Sequence, residues 1–331
     1  MKRAWLIIRF LTLLIVTVYP LMPGAAAKQL ATSTKAKYEP NSGVYLGAYT
    51  DLSSHLNYDM ALFNQTTHKK HASFLRYVGY GRPFPYAWAE NVKAVGAVPT
   101  IAWEPNNGLD EVQDDAYLRS FARACKAVSG PIFIRFASEM NGNWTAYSGN
   151  PAMFIEKWRL IYNVMREEAP NVAMVWSVAI TPQSTITKFY PGDDYVDWVG
   201  MSVYNVVYHN NDIRQRADHE DPMELIRYVY ATYAERKPIM ISEYGVTHYT
   251  ITDQKEHVSF ALQKLERMYT GLQERYPRIK AIFYFDVNAV KEARPGRRIN
   301  DYSITNNTEI LELYRRLISN SYFLSDVISD I

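Results

Sequence analysis

Two glutamates have neighbours suited to chemistry at a sugar. Glu139 lies in the run Arg135-Phe136-Ala137-Ser138-Glu139-Met140-Asn141-Gly142-Asn143-Trp144, which gathers a guanidinium, an acid, an amide and an indole. Glu243 ends the apolar run Ile239-Met240-Ile241-Ser242 and precedes Tyr244 and Gly245. Breaking a glycosidic bond needs a proton donor for the leaving oxygen and a second carboxylate beside the anomeric carbon. Other chemistries find no support. The seven histidines form no metal-ligand spacing, and His68 and His71, three apart, read as solvated surface. There is no Gly-x-Ser-x-Gly elbow. No pattern calls for a metal or cofactor. The lone Cys125 reads as a buried, inert thiol.

Such residues must be brought together by a scaffold. Eight apolar runs rich in Val, Ile, Phe, Tyr and Trp predict strands at Val44–Tyr49, Phe74–Tyr80, Val98–Trp103, Ile132–Ala137, Val172–Val178, Val196–Val203, Ile239–Ser242 and Ile279–Phe285. They are continuous rather than alternating, as strands buried on both faces are. Amphipathic segments lie between them. Pro151–Glu168 places Phe154, Ile155, Trp158, Ile161, Tyr162 and Met165 on one stripe, and Asp221-Pro222-Met223-Glu224 has the form of a capped helix start. Asp114–Val128 and Asp253–Arg275 also read as helices. Eight βα units predict a single (β/α)8 TIM barrel over residues 41–331. A doubly wound sheet is disfavoured because Gly47-Ala48-Tyr49-Thr50-Asp51 follows the first strand where a glycine-rich phosphate loop would stand.

In a barrel, reactive groups lie at the C-terminal strand ends. Those ends carry Tyr49 and Asp51, Tyr80, Trp103 and Glu104, Glu139, Ser177, Tyr204, Glu243 and Asp286. Strands about 4.8 Å apart and tilted about 36° give a ring radius of roughly 7.5 Å. Glutamates on strands four and seven, reaching inward, then end about 5 to 6 Å apart, which matches the spacing of retaining glycosidases. Glu104 on strand three passes the same test, so geometry alone does not choose between them. The structural alternative is an Arg135–Glu139 ion pair. For Arg135, positioning or charge balance is favoured over substrate contact. Trp103 fits core packing or sugar stacking equally, Trp144 fits stacking, and Glu104 fits sugar binding or a solvated loop acid.

The segments around Glu139 and Glu243 resemble glycoside hydrolase family 26, the mannanase family of clan A. The first is similar to that family's Arg-x-x-His-Glu-Met-Asn-Gly-x-Trp segment, and Asp197-Trp198-Val199-Gly200-Met201-Ser202-Val203-Tyr204-Asn205 is similar to its strand-six segment. The resemblance runs from about Gly43 to Asn288. It implies Glu139 as acid/base, Glu243 as nucleophile, Tyr204 as a hydrogen-bond partner of the nucleophile, and Trp144 and Trp103 as stacking surfaces. Arg135, Ser138, Asn141, Glu104, Tyr244 and Asp286 complete the expected substrate-binding set. Ser138 stands where the mannanases carry a histidine beside the cleaved bond. That departure bears on mannose specificity, and it leaves mixed-linkage glucan or a bacterial exopolysaccharide as substrates alongside mannan. A polysaccharide-binding protein on a decayed hydrolase barrel, or a subunit of an exopolysaccharide export assembly, are the alternatives.

Composition narrows the partners. The 331 residues carry 36 Lys plus Arg against 34 Asp plus Glu, which offers no electrostatic reason to bind nucleic acid. Lys2, Arg3 and Arg9 precede an apolar run from Phe10 to Met22, and Ala25-Ala26-Ala27 follows. This reads as a cleavable signal peptide over 1–27, cut after Ala27, with a polar linker over 28–40. The mature protein is expected to be secreted, monomeric and not membrane-spanning, with a polysaccharide or oligosaccharide as its partner.

Overall fold

The structure is a computed structural model that describes residues 35–328. The expected signal peptide and the start of the linker lie outside the described residues. The eight principal strands are β1 (Val44–Tyr49), β2 (Ser73–Gly79), β3 (Val98–Glu104), β4 (Ile132–Phe136), β5 (Val172–Ala179), β6 (Trp198–Asn205), β7 (Ile239–Val246) and β8 (Ile279–Phe285). Each pairs in parallel with its neighbour, and β8 pairs with β1, from Tyr45 opposite Ala281 to Tyr49 opposite Phe285. The ring is closed, so no sheet edge is left exposed. It is a single (β/α)8 barrel.

Strand alternation divides the core into two shells. Tyr45, Leu75, Ala102, Phe133, Val175, Trp198, Met240 and Phe283 fill the interior. Leu46, Ile101, Trp103, Ile134, Trp176, Val199 and Ile241 face outward against the helices. Gly47 makes room in the interior, because a Cβ there would lie 2.3 Å from the Phe283 ring.

The principal helices are α1 (Met60–Thr67), α2 (Tyr86–Ala94), α3 (Ala116–Ala127), α4 (Pro151–Glu168), the single-turn α5 (Gln183–Ile186), α6 (Pro222–Tyr233), α7 (Val258–Arg275) and α8 (Thr308–Ile318). α4 and α6 begin where their capping signals predict, with Asn150 accepting from Met153 N and Asp221 from Met223 N. α7 starts five residues later than expected. Tyr249–Thr250 pairs with Lys255–Glu256 and with Asn300–Asp301, and Asp253 takes up His257 and Tyr208. These local bonds compete with the helix for the same backbone.

Two surface expectations are corrected. His71 is fully buried, lies 2.9 Å from the Tyr314 hydroxyl, and burial pushes its pKa down to about 3. The end of the expected linker is packed: Trp198 Nε1 donates to Lys37 O, Tyr38 packs edge-on against Phe133, and Glu39 pairs with Arg278. Lys37 and Tyr38 therefore meet interior side chains of the barrel. Cys125 is buried, and burial raises its thiol pKa well above the ordinary range. Among the described residues, no helix is long and apolar enough to cross a membrane.

Candidate active site

Glu243 reaches the barrel interior through an irregularity in β7. Strict alternation with Met240 inward would send Glu243 outward beside Ile241. The β6–β7 register instead shifts between Met201 opposite Ile241 and Ser202 opposite Glu243. This bulge leaves Ser242 and Glu243 both on the inner face and turns Tyr244 outward. Re-aiming a side chain is a common use of a bulge beside an active site.

Three donors converge on the Glu243 carboxylate. Oε1 accepts from Tyr77 OH at 2.5 Å and from Arg135 Nη2 at 2.7 Å, while Oε2 accepts from Tyr204 OH at 2.6 Å. Burial first, and the Glu243 charge second, hold both phenols well above their usual pKa of 10, so they stay protonated as donors. Burial opposes the Arg135 charge, but the neighbouring Glu243 carboxylate outweighs it and raises the guanidinium pKa. Arg135 therefore pairs with Glu243 rather than with Glu139.

Glu139 stands just beyond β4 on a turn with Ala137 at φ 47° and Glu139 at φ 61°, both left-handed and costly for residues with a Cβ. Neighbouring strands brace the turn. Ala137 N donates to Trp103 O, Glu139 N to Ser177 O, and Ser138 N to Glu104 Oε2. The Asn141 side chain exchanges two 2.9 Å bonds with the backbone of Ala179. Glu139 Oε2 accepts from Trp144 Nε1 at 2.9 Å. The indole lies against Gly142, where a Cβ would come within 2.5 Å of it. The Glu139 pKa is raised, by burial first and by the Glu243 charge second, against the hydrogen bond from Trp144. Glu243 is thus the largest charge influence on Glu139.

The structure redistributes several expected substrate contacts. Trp103 is fully buried in the outer shell, stacked 4.1 Å from Phe121, because alternation turns it out and Glu104 in. Tyr244 donates to Lys264 O on α7. Asp286 is sealed beneath the mouth by Ser53, Ile304 N and Thr305. Asn141 serves the backbone, as described. Glu104 is buried, with Tyr147 OH at 2.5 Å, and burial lifts its pKa to about 7. Ser138 Oγ is buried and makes no hydrogen bond among the described residues. Trp144 remains substantially exposed at the mouth. Tyr77 and Tyr147 were not expected at the site. Counting inward alternation from Ser73 through Leu75 would have found Tyr77.

Comparison with known proteins places the chain in a family. Residues 90–264, a span that holds both glutamates, match glycosyl hydrolase family 26. The chain belongs to that family. Within it, the chain is 33% identical over 97 residues to a beta-1,3-xylanase of a Vibrio species, a stretch covering 28% of this chain and 21% of that protein. It is 24% identical over 295 residues to Endoglucanase H of Acetivibrio thermocellus, covering 84% of this chain and 31% of that protein. The chain thus spans about a fifth to a third of the length of these relatives. Among solved structures, an endo-beta-1,4-mannanase of Cellulomonas fimi superposes with a TM-score of 0.62 at 15% identity, covering 90% of this chain and 80% of that one. The family 26 protein GH26C of Muricauda gives 0.63 at 15%, covering 86% and 87%. At such identity the likeness shows the shared fold.

Proposed function

We propose that this family 26 protein is a secreted, retaining glycoside hydrolase that cleaves a β-linked polysaccharide by double displacement. The observation that carries the reading is the pairing of two carboxyls in unlike surroundings. Glu243 is gripped by a guanidinium and two phenols that can only donate to it, while burial and the Glu243 charge favour a proton on Glu139. Neighbouring carboxyls pushed toward different protonation states are the usual mark of an acid and a nucleophile.

In the first step a Glu243 oxygen attacks the anomeric carbon, and the glycosidic C–O bond breaks as Glu139 protonates the departing oxygen. In the second, the Glu139 carboxylate takes a proton from water, the water oxygen attacks the anomeric carbon, and the bond to Glu243 breaks. Tyr77, Arg135 and Tyr204 orient the nucleophile, and Trp144 offers a flat face to a sugar ring. Mannan, xylan and glucan backbones all fit the family, and Ser138 in place of histidine argues against a strict mannanase. The signal-like segment over 1–27 supports export.

The test is a reducing-end screen over these backbones, with the anomer of the first product followed by NMR. Retention of configuration is expected. An inverted product, or no cleavage of any β-linked backbone, would overturn the reading.

A further inference from the structure

The loop after β8 leaves the barrel mouth at Asn288 and returns at Asp301. An antiparallel bridge and an Asn288–Asp301 side-chain hydrogen bond tie its two ends together. Between them, Lys291, Arg294, Arg297 and Arg298 stand against a single acid, Glu292. All four cations are exposed, and Glu292 is taken up by the Ser54 hydroxyl. Arg298 donates only to Ala293 O in its own loop, and none of the four has a carboxylate partner among the described residues. Four acids of other mouth loops have basic partners: Asp51 with Arg76, Asp212 with Arg214, Asp218 with Arg216, and Asp253 with His257. Loop 289–299 thus places four exposed, unpaired cations together at one side of the mouth.

That side adjoins the reacting groups. Tyr302, one residue past the loop, donates its N–H to Val287 O and packs its ring 5.2 Å from Tyr204, whose hydroxyl holds Glu243. Arg297 is near enough to counter part of the rise that burial imposes on the Tyr302 hydroxyl. A neutral glycan gains little from unpaired guanidinium groups. Carboxylates and phosphates match their fork geometry and are drawn in by the field of one sign.

We infer that the natural polysaccharide carries anionic substituents, uronate-type carboxylates or phosphates, held by loop 289–299 while the backbone lies across Glu139 and Glu243. This rests on the glycosidase reading. The four cations set substrate class rather than rate at the reacting bond.

The experiment compares binding of one β-glucan in unmodified, carboxymethylated and phosphorylated forms to the full chain carrying Glu139→Gln, by calorimetry. At about 20 mM salt an anionic form should bind about tenfold tighter than its parent, and the advantage should vanish near 300 mM. Adding Arg294→Gln, Arg297→Gln and Arg298→Gln should abolish it at low salt. The two modified polymers separate carboxylate from phosphate recognition. Equal binding of all three forms overturns the inference, as does a preference that survives the triple substitution. So does short single-stranded DNA binding equally well without being displaced by the glucan, because the loop would then be a general polyanion surface. The glycosidase reading fails separately, if wild-type protein releases no reducing ends from any β-linked backbone.

Discussion

Arg135 Nη2 and Glu243 Oε1 lie 2.7 Å apart with both side chains almost wholly withdrawn from solvent. A pair so buried gives little net stability against an apolar substitute, yet removing one partner strands the other charge. The pair therefore fixes the Glu243 carboxylate in place more than it holds the barrel together.

Arg135→Ala should cost about 3–5 kcal/mol of folding stability, as an uncompensated buried carboxylate does. Denaturant unfolding measures it. The double variant Arg135→Ala, Glu243→Gln should recover much of the loss. If the single variant costs under about 1 kcal/mol, the charge is not isolated as described.

The Glu243 charge also raises the pKa of Glu139, so Glu243→Gln should lower it. NMR of 13C-labelled glutamate reads this directly, although turnover is gone. The proposed first step needs Glu139 protonated, so in wild type kcat should fall as pH rises through its elevated pKa. A titration that stays put or moves upward in the variant would break the proposed coupling.

Glu104, expected to touch sugar, instead clamps the turn that aims Glu139. The Tyr147 hydroxyl lies 2.5 Å from Glu104 Oε2 and 2.9 Å from Ser138 O, and its single proton cannot serve both. A protonated Glu104 donates to Tyr147 and frees that hydroxyl for Ser138. Its folded pKa of about 7 exceeds the ordinary value of 4.5. Between those values the native state holds a proton that the unfolded chain has released, so stability falls as pH rises across that window, by on the order of 3 kcal/mol. Glu104→Gln should flatten that slope and lower kcat with little change in KM. An unchanged slope would remove Glu104 as its source.

The scaffold was legible because strands buried on both faces are written as near-continuous apolar runs, and seven of the eight predicted starts agree within one residue. Glu139 and Glu243 were legible as acids closing such runs. Inward and outward faces were harder. Trp103 and Glu104 are adjacent, and only the parity of β3 decides which one enters the barrel. In β7 the bulge at Ser242 resets parity, and nothing local in Ile239–Tyr244 announces it. Tyr147 and Asp286 act through partners 43 and 19 residues away in sequence, so their roles depend on tertiary packing.

Trp144 supplies a final test of opposite sign to the Glu243 variant. Its indole N–H stabilises the Glu139 carboxylate, which pulls the Glu139 pKa down against burial. Trp144→Phe keeps a ring at the mouth and deletes the donor, so the Glu139 titration should move up and the alkaline limb of kcat should shift to higher pH. Gly142→Ala, whose new methyl would displace the indole, should shift it the same way. Because Glu243→Gln moves the same titration down, the three variants together separate hydrogen bonding from charge. A downward shift in Trp144→Phe would show that the indole acts by excluding water rather than by donating to Glu139.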